Sequence, residues 1–280
     1  METAIYIIVV LVGVGTFFGL VLALADKKFA MASNPLIAEV EDILPKGQCG
    51  ACGFAGCAKY AEAVVEDPEV APNLCVPGKA AVAAKVAELT GKKAEAAEPH
   101  YAYLKCRGTL TAAVMAARYE GVPDCAAAKL VGGGPKGCKF GCLGFGNCVK
   151  ACPFGALSMG QDGLPVVDKD ICTGCGKCVE TCPQGLMALK TFGAPVEVTC
   201  SSHDKGPAAR KNCQNACIGC GLCMRNCSQG AIKVENFLAV VDSAKCAGCT
   251  EPTCLDKCPT KAIQELISKP SPLGKVAAAG

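Results

Sequence analysis

The longest apolar segment of the chain lies at its N-terminal end, where residues 3–25 carry no charged side chain. A helix of that length can span a bilayer. The sequence ALA at 23–25 resembles a signal-peptidase site, so a cleaved secretion signal is the alternative. However, Glu2 stands where a signal peptide would carry Lys or Arg, and the segment exceeds an ordinary signal core of about 7 to 15 residues. We therefore predict an uncleaved membrane anchor over residues 1–28.

The charges that flank this segment predict its orientation. Lys27 and Lys28 follow it directly, and no Lys or Arg precedes it. By the positive-inside rule, the flank that carries the positive charges stays in the cytoplasm. The pattern predicts a single-pass protein with the bulk of the chain on the cytoplasmic side.

Beyond the anchor, the patterns predict short helices and strands. AKYAEAVVEDPEV (58–70) is typical of a helix, and residues 78–100 begin with helix-forming Ala, Val and Leu before becoming a charged linker. HYAYLKCRG (100–108) alternates as a strand does. Four similar tails, PFGAL, PQGLM, SQGAI and PTKAI, each follow a cysteine and predict the start of a helix or strand. We expect an α+β fold built from small modules.

The composition changes this picture, because large core-forming side chains are scarce. The 280 residues include 24 Cys and 32 Gly but no Trp, and aromatic residues make up 5%. Small modules with weak cores are usually held together by disulfides or metal. A reducing cytoplasm disfavours disulfides, so the cysteines are expected to bind metal. The net charge of +3 comes with no basic stripe, which argues against a nucleic-acid partner.

Most of the cysteines fall into five groups of four. The third group has the spacing C-x2-C-x2-C-x3-C-P of bacterial two-cluster ferredoxins, and the fourth has the same spacing with Ser228 in place of the proline. The second and fifth are stretched, to C-x3-C-x5-C-x3-C-P and C-x2-C-x4-C-x3-C-P. The groups are Cys49, Cys52, Cys57 and Cys75; Cys138, Cys142, Cys148 and Cys152; Cys172, Cys175, Cys178 and Cys182; Cys217, Cys220, Cys223 and Cys227; and Cys246, Cys249, Cys254 and Cys258.

This spacing suits [4Fe–4S] clusters. Short gaps of small residues let one loop place three thiolates around a cluster, and the fourth Cys of each ferredoxin run binds the partner cluster. The rule predicts these sets: Cys138, Cys142, Cys148 with Cys182; Cys172, Cys175, Cys178 with Cys152; Cys217, Cys220, Cys223 with Cys258; and Cys246, Cys249, Cys254 with Cys227. The first group predicts a compact helical module that holds one cluster on Cys49, Cys52, Cys57 and Cys75.

Zinc is the alternative occupant of these groups. A tetrahedral zinc site takes four Cys from two C-x2-C knuckles, whereas it has no use for runs of four with a crossed fourth ligand. A stretched loop could also hold a [3Fe–4S] cluster, and this alternative stays open for the second and fifth groups.

Four cysteines remain outside the groups, on the two flanks of the first ferredoxin pair. Chain ends lie close together in a two-cluster ferredoxin, so these thiols could meet. We hypothesise a sixth cluster on Cys106, Cys125, Cys200 and Cys213. The alternative is four free, buried cysteines that act as small hydrophobic residues.

The domain organisation follows from these groups. We predict an anchor at 1–28, an N-terminal [4Fe–4S] module at 33–77, a helix and linker at 78–100, a first two-cluster ferredoxin-like module with its flanking cysteines at 101–213, a second at 214–267, and a disordered tail at 268–280.

Other motifs give no further chemistry. His100 and His203 are the only histidines, and neither lies in a Rieske-like pattern, so both are predicted to be surface residues. GGGPKG (132–137) lacks the Walker spacing and leads directly into Cys138, which favours a loop against a cluster. No dinucleotide fingerprint, catalytic triad or acid pair is present in the sequence. We assign no catalytic residue, and the metal is expected to be iron held by the cysteines.

The combination of a single N-terminal span, LPKGQCGACGFAGC with a distant cysteine, and ferredoxin repeats resembles the B subunits of Rnf complexes. The resemblance covers residues 1 to about 267. It implies an electron-relay subunit of a membrane-bound ferredoxin:NAD+ oxidoreductase that exports Na+ or H+, in a bacterial cytoplasmic membrane. Soluble ferredoxin would donate to a distal cluster, and the Cys49 cluster would pass electrons to the other membrane subunits. Flavin and NAD sites would lie on those partner subunits.

Three other functions use the same residues. The chain could keep a redox-sensing transcription factor reduced, it could be a zinc-stapled membrane scaffold, or it could be a polyferredoxin that feeds a different membrane oxidoreductase. Co-purification with membrane subunits, and the presence of iron and acid-labile sulfide, distinguish them.

Overall fold

The structure is a computed structural model that describes residues 2–29, 34–94, 99–192 and 195–266. The tail predicted at 268–280 and part of the predicted linker lie outside the described residues.

The N-terminal segment forms one helix, α1 (Glu2–Phe29). Between Ile5 and Ala25 its mean hydropathy is 2.8 and none of its surface is buried against the rest of the chain. By length and composition this helix could cross a membrane, a test that a signal sequence also passes. Its long rows of exposed apolar side chains are costly in water, which favours a bilayer around it.

A small helical module follows the anchor. It contains α2 (Pro35–Ile43), α3 (Cys57–Glu66), a 3-10 turn (Val76–Gly78) and α4 (Lys79–Thr90). The side chain of Asn34 caps α2 by accepting a 3.1 Å hydrogen bond from the Leu36 amide. The helix predicted over residues 58–70 corresponds to α3, and it is confirmed as far as Glu66, where α3 ends.

The core of this module brings all three helices together. Val40 of α2, Tyr60 and Val64 of α3 and Val86 of α4 are fully buried in one cluster. The boundary predicted at residue 77 therefore differs from the structure, because α4 packs into this core and belongs to the module. Lys92, just past α4, donates hydrogen bonds to carbonyls around the end of α3 and the following turn: Val64 O at 2.7 Å, Asp67 O at 2.6 Å and Val70 O at 2.8 Å.

The first ferredoxin-like module is closed by two strands that are distant in sequence. Its elements are β1 (His100–Leu104), α5 (Cys125–Val131), α6 (Asn147–Lys150), β2 (Leu157–Met159), β3 (Pro165–Val167), α7 (Lys177–Thr181) and β4 (Met187–Thr191). β1 pairs antiparallel with β4, with His100 opposite Thr191, and β2 and β3 form a hairpin. The strand predicted at HYAYL is confirmed, and the long segment between β1 and α6 is an insertion that contains α5.

The second module repeats this topology. Its elements are β5 (Val196–Val198), α8 (Gly206–Asn212), α9 (Leu222–Arg225), β6 (Ile232–Glu235), β7 (Leu238–Val241), α10 (Ser243–Cys246) and β8 (Ile263–Glu265). β5 pairs antiparallel with β8, and β6 and β7 form a hairpin. In both modules the four tails that follow the cysteine runs lead into strands, namely β2, β4, β6 and β8.

Strand pairing moves the boundary between the two modules. Because β5 is the closing partner of β8, the second module begins at β5 rather than at residue 214. Cys200 and Cys213 therefore belong to the second module, not to the flank of the first.

A buried ion pair joins the modules. Nζ of Lys190 in β4 lies 2.8 Å from a carboxylate oxygen of Glu197 in β5, and the two side chains are only 3% and 12% exposed. Lys190 also donates to the Val196 carbonyl at 2.7 Å. Arg107, from the first module, donates to the Lys261 carbonyl of the second at 2.8 Å.

Breaking this ion pair should destabilise the chain strongly. Lys190→Met leaves the Glu197 carboxylate buried without a cation, which costs about 3–5 kcal/mol. Denaturant unfolding of the anaerobically prepared chain measures the loss. The double variant Lys190→Met/Glu197→Leu should recover most of the stability, because it leaves no unpaired charge.

The matched control is the exposed pair Lys59–Glu62, which has an N–O distance of 2.6 Å and exposed fractions of 64% and 41%. Lys59→Met should cost far less than Lys190→Met, since exposed ion pairs contribute little. Equal losses in the two single variants would contradict the assignment of Lys190 as a structural link between the modules.

Candidate functional site

Three cavities within the ferredoxin-like modules are each lined by four cysteines, and a fourth such cavity lies where the two modules join. In two of them, the four lining cysteines are one of the sets predicted by the ferredoxin rule, including the fourth cysteine that comes from the neighbouring run. The lining cysteines are Cys152, Cys172, Cys175 and Cys178 in the first, and Cys217, Cys220, Cys223 and Cys258 in the second. The third cavity differs from the predicted set and is described below.

Another predicted set is brought together beside the second module's core. Cys246 and Cys254 are buried there, with Cys227 packed against them. Burial raises the pKa of the Cys254 thiol to about 11, and the negative charges of Cys227, Cys246 and Cys249 add to the shift. In each module, the fourth cysteine of one run therefore lies with the cysteines of the other run.

Two glycines allow the cysteine loops to approach the backbone of β1 and of the β6–β7 turn closely. Gly174 and Gly219 hold equivalent places in the third and fourth cysteine runs, with φ values of +72° and +64°. A Cβ at Gly174 would lie 2.5 Å from the His100 carbonyl oxygen, and one at Gly219 would lie 2.8 Å from the Phe237 carbonyl oxygen. No other residue fits there, because both the space and the backbone conformation exclude a side chain.

One cavity differs in one member from the set predicted on Cys138, Cys142, Cys148 and Cys182. The third cavity is lined by Cys142, Cys148 and Cys182 together with Cys125, and Cys138 does not reach it. Burial raises the pKa of the Cys148 thiol to about 11, and the charges of Cys182 and Cys125 add to the shift.

The reason is a substitution inside the second cysteine run. CLGFGNCVKAC (142–152) aligns without a gap to CIGCGLCMRNC (217–227), which places Phe145 where the other run has Cys220. The glycines around Phe145 have φ values of +84° and +73°, close to the +64° and +71° around Cys220. The loop is therefore the same, and its missing thiol is supplied from elsewhere in the chain.

Helix α5 supplies that thiol. Cys125 is the first residue of α5, and the cap residue Asp124 accepts a 2.6 Å hydrogen bond from the Asn147 side chain at the start of α6. The Cys125 amide in turn donates to the Asn147 side chain at 3.1 Å. These contacts fix the start of α5 against the run. The gapless alignment of the two runs is the sequence signal for this arrangement, because it shows that the second run lacks one thiol.

Another cavity differs in one member from the hypothesised sixth set. Of the four cysteines in that set, three line this cavity, and Cys138 takes the place of Cys125. The cavity's cysteines are Cys106, Cys138, Cys200 and Cys213.

The cysteines of the N-terminal group lie near one another. Burial raises the pKa of the Cys75 thiol to about 11, and the charges of Cys57, Cys49 and Cys52 add to the shift. Cys57 begins α3, and its amide donates a 3.0 Å hydrogen bond to the side chain of Gln48. The loop from Gln48 is thereby held against the helix that carries the third thiol.

The N-terminal module packs against the first ferredoxin-like module. A Cβ at Gly47 would lie 2.6 Å from the tip of the Phe154 ring, so the ring rests directly on the Gly47 backbone. Burial raises the pKa of the Cys175 thiol, and the charges of Cys49 and Cys152 contribute to the rise. Thiols of two different sets thus come close at this contact.

Backbone amides point at several sulfur atoms. The bonds are Ala102 N to Cys172 Sγ at 3.4 Å, Leu186 N to Cys182 Sγ at 3.4 Å, Ala231 N to Cys227 Sγ at 3.3 Å and Ala239 N to Cys217 Sγ at 3.5 Å. Such donors stabilise negative charge on sulfur and tune iron–sulfur centres. The donor set and the glycine-rich loops fit [4Fe–4S] clusters.

The thiols are not spaced for a single metal ion. In residues 2–29, 34–94, 99–192 and 195–266, no three Cys, His, Asp or Glu side chains converge closely enough to hold one.

The remaining sequence candidates have structural roles. His203 is exposed, with Nδ1 3.1 Å from the Asn236 carbonyl oxygen, and His100 lies in β1 and is half-buried. Lys136 of the loop 132–137 lines the cavity of Cys138, in agreement with a loop that lies against a cysteine set.

Known protein families match most of the cysteine-rich chain. Residues 44–77 match a family described as "Putative Fe-S cluster". Residues 140–187 and 171–232 match a 4Fe-4S dicluster domain, and residues 216–262 match a second family of that description.

Curated relatives match nearly the whole chain. It is 60% identical over 268 residues to the B subunit of the proton-translocating ferredoxin:NAD(+) oxidoreductase complex of Clostridium ljungdahlii, covering 96% of this chain and 94% of that protein. It is 44% identical over 258 residues to the B subunit of the ion-translocating oxidoreductase complex of Methanosarcina acetivorans, covering 92% and 96%. It is 44% identical over 264 residues to the B subunit of the Na(+)-translocating ferredoxin:NAD(+) oxidoreductase complex of Acetobacterium woodii, covering 94% and 78%.

Proposed function

This chain belongs to the family of B subunits of Rnf-type ion-translocating ferredoxin:NAD+ oxidoreductase complexes, and from that premise we propose that it relays electrons from reduced ferredoxin toward NAD+ within such a complex. The complex couples this transfer to the export of Na+ or H+. One related subunit is named for a proton-translocating complex and another for a Na(+)-translocating complex.

The single observation that carries the proposal is the grouping of thiols. Besides the N-terminal set, four sets in the two ferredoxin-like modules each combine two or three thiols of one cysteine run with thiols from other segments. A [4Fe–4S] cluster, when bound to such a set, takes up and returns single electrons. The chain contributes the thiolates, the amide donors and the burial that excludes water. Among the described residues we find no constellation suited to bond-making catalysis.

The sets form a connected series. Within the first module, the charges of Cys148 and Cys152 both act on Cys178, whose pKa burial raises to about 12. At the contact with the N-terminal module, the negative charge of Cys49 helps to raise the pKa of the Cys175 thiol. The N-terminal set follows the anchor most closely in the chain, so we assign it the exit toward the membrane subunits. The ferredoxin-like modules then face the soluble donor.

Helix α1 acts as a single-pass anchor in this proposal, and Lys27 and Lys28 keep the modules on the cytoplasmic side. Flavin and NAD sites lie on partner subunits, since the sequence carries no motif for either. The anchor keeps the relay close to these subunits while the ferredoxin-like modules remain accessible to ferredoxin.

Anaerobic purification of the full chain with its membrane partners tests the proposal. We expect at least about 20 iron and 20 acid-labile sulfide per chain, since five [4Fe–4S] clusters require that many. Reduced ferredoxin should bleach the visible absorption, and NAD+ should restore it when the partner subunits are present. A zinc-loaded, colourless protein would refute the relay. An iron-loaded chain that purifies without membrane subunits would instead favour a reductase for a regulatory protein.

A further inference from the structure

Four cysteines meet where the two ferredoxin-like modules join, and they come from equivalent places. Cys106 lies two residues after β1 and Cys200 two residues after β5. Cys138 and Cys213 each lie four residues before the first cysteine of a run, Cys142 and Cys217. All four line one cavity. Each module thus contributes the same two positions to a pseudo-twofold site.

The hydrogen bonds repeat this symmetry. Cys106 Sγ accepts bonds from the amides of Gly108 and Cys142, both at 3.4 Å. Cys200 Sγ accepts bonds from the amides of Ser202 at 3.4 Å and Cys217 at 3.3 Å. Two donors per sulfur favour a negatively charged thiolate. Free cysteines that serve only as small hydrophobic residues would have no need of them.

Small residues surround these sulfur atoms. A Cβ at Gly108 would lie 3.5 Å from Cys106 Sγ and 3.8 Å from Cys213 Sγ, and one at Gly141 would lie 3.7 Å from Cys138 Sγ. The cavity has an empty volume of about 350 Å³, within the range of about 280 to 380 Å³ spanned by the other three four-cysteine cavities. It therefore matches them in size as well as in ligands.

A buried cation also lines the cavity. Lys136 is only 6% exposed, and its ammonium donates to the Gly108 carbonyl at 2.6 Å. In the described part of the chain it forms no ion pair with a carboxylate. A buried ammonium is costly without a nearby negative charge. Four thiolates around an iron–sulfur core carry a net negative charge, which would compensate it.

We propose that Cys106, Cys138, Cys200 and Cys213 bind a sixth [4Fe–4S] cluster at the junction of the two modules. Cys106 and Cys138 lie outside every matched family segment. The proposal rests on the proposed function for the nature of the metal group, whereas its ligand set comes from the geometry of this junction.

The position of this cluster explains how the two modules communicate. Cys106 accepts its second hydrogen bond from Cys142, a ligand of the first module, and Cys200 accepts its second from Cys217, a ligand of the second. The sixth site thus lies between two sets that belong to different modules. Without it, the series of sets would be interrupted at the junction.

Paired substitutions test the ligand set through iron content and the number of centres seen by redox-titrated EPR. The wild-type chain should carry about 24 iron, from six clusters. Cys106→Ala, Cys200→Ala and the double variant should each lose one and the same centre, so the double loses no more than the singles. Loss of two different centres in the double variant would overturn the proposal, as would a full set of centres in either single variant.

A second pair separates this ligand set from the one predicted by sequence alone. Cys106→Ala/Cys125→Ala should perturb two centres, because the structure puts these thiols in different cavities. If the two thiols shared one cluster, only one centre would change. That result would refute the assignment to Cys138.

Lys136→Met keeps every thiol in place and covers the case in which the cysteine variants fail to fold. It should retain the wild-type iron content and move one centre to a lower potential, because a nearby positive charge favours the reduced cluster. Lys85→Met, at an exposed position of α4, is the control and should shift none. An unchanged set of potentials in Lys136→Met would contradict a cluster at this cavity.

The outcomes also distinguish failure of this proposal from failure of the proposed function. Suppose that the wild-type chain contains about 20 iron and that the Cys106 and Cys200 variants keep all of it. The chain then has five iron–sulfur clusters, and the four thiols at the junction bind no metal. In that case the sixth site is refuted and the relay stands. A wild-type chain without iron would refute both.

Discussion

Replacing Cys125 by alanine should eliminate one [4Fe–4S] centre from the chain, although this cysteine lies in no ferredoxin-spaced run. Cys125 lines the cavity of Cys142, Cys148 and Cys182, and burial with the neighbouring charges of Cys182 and Cys125 raises the pKa of Cys148 to about 11. With one thiolate missing, one iron has no protein ligand, so the cluster is lost or retained with three irons. Iron analysis and EPR of the reduced chain measure the change.

A second substitution should restore the centre. Phe145 stands where the homologous run has Cys220, between glycines with the same left-handed backbone. In the Cys125→Ala/Phe145→Cys variant, the run regains the ferredoxin spacing and should bind its cluster without help from α5. Phe145→Cys alone should keep the wild-type number of centres. Retention of every centre in Cys125→Ala would show that this thiol is not a ligand.

The second large effect is expected from glycine substitution in the cysteine loops. Gly174→Ala would place a Cβ 2.5 Å from the His100 carbonyl oxygen at a φ of +72°. Left-handed backbone costs a non-glycine residue about 1–2 kcal/mol, and overpacking against fixed backbone adds about 1–3 kcal/mol. We expect a loss of about 3 kcal/mol in the free energy of unfolding. Gly219→Ala should behave similarly, since its Cβ would meet the Phe237 carbonyl oxygen at 2.8 Å.

Two other glycines of the same modules allow the cost of left-handed backbone to be measured separately from the cost of a crowded Cβ. Gly185 and Gly230 also have positive φ, at +64° and +58°, but nothing lies within 4 Å of a Cβ at either position. Alanine there should cost only the backbone term of about 1–2 kcal/mol. Denaturant unfolding and iron retention of the four variants provide the comparison. Equal losses at Gly174 and Gly185 would mean that the close approach of the loop to β1 has no energetic role.

Several elements were predictable because they depend on local pattern. The charge-free segment 3–25 predicted α1 and the alternation in HYAYL predicted β1. The tails after the cysteine runs predicted where an element starts, and the structure makes these elements the strands β2, β4, β6 and β8. Helix and strand periods act over a few residues, so the sequence records them directly. The α+β fold and the family resemblance follow from the same local signals.

The module boundaries needed long-range pairing. Residues 101–213 were predicted as one module because the flanking cysteines were counted with the first ferredoxin pair. The structure ends that module at β4 and begins the next at β5, because β5 closes onto β8. Likewise α4 joins the N-terminal core through Val86, which its own helix period could not reveal.

The sequence by itself determined that this chain carries cysteine runs of the kind that bind iron–sulfur clusters, because the short gaps within one loop can place several thiols around one cluster. Only the tertiary structure decided the fourth partners. Cys138 and Cys142 are close in the chain, yet they face different cavities, and Cys125 replaces a thiol that Phe145 displaced. The physical reason is that a fourth ligand is positioned by strand pairing and by the docking of α5, and contacts between distant segments leave no trace in local spacing.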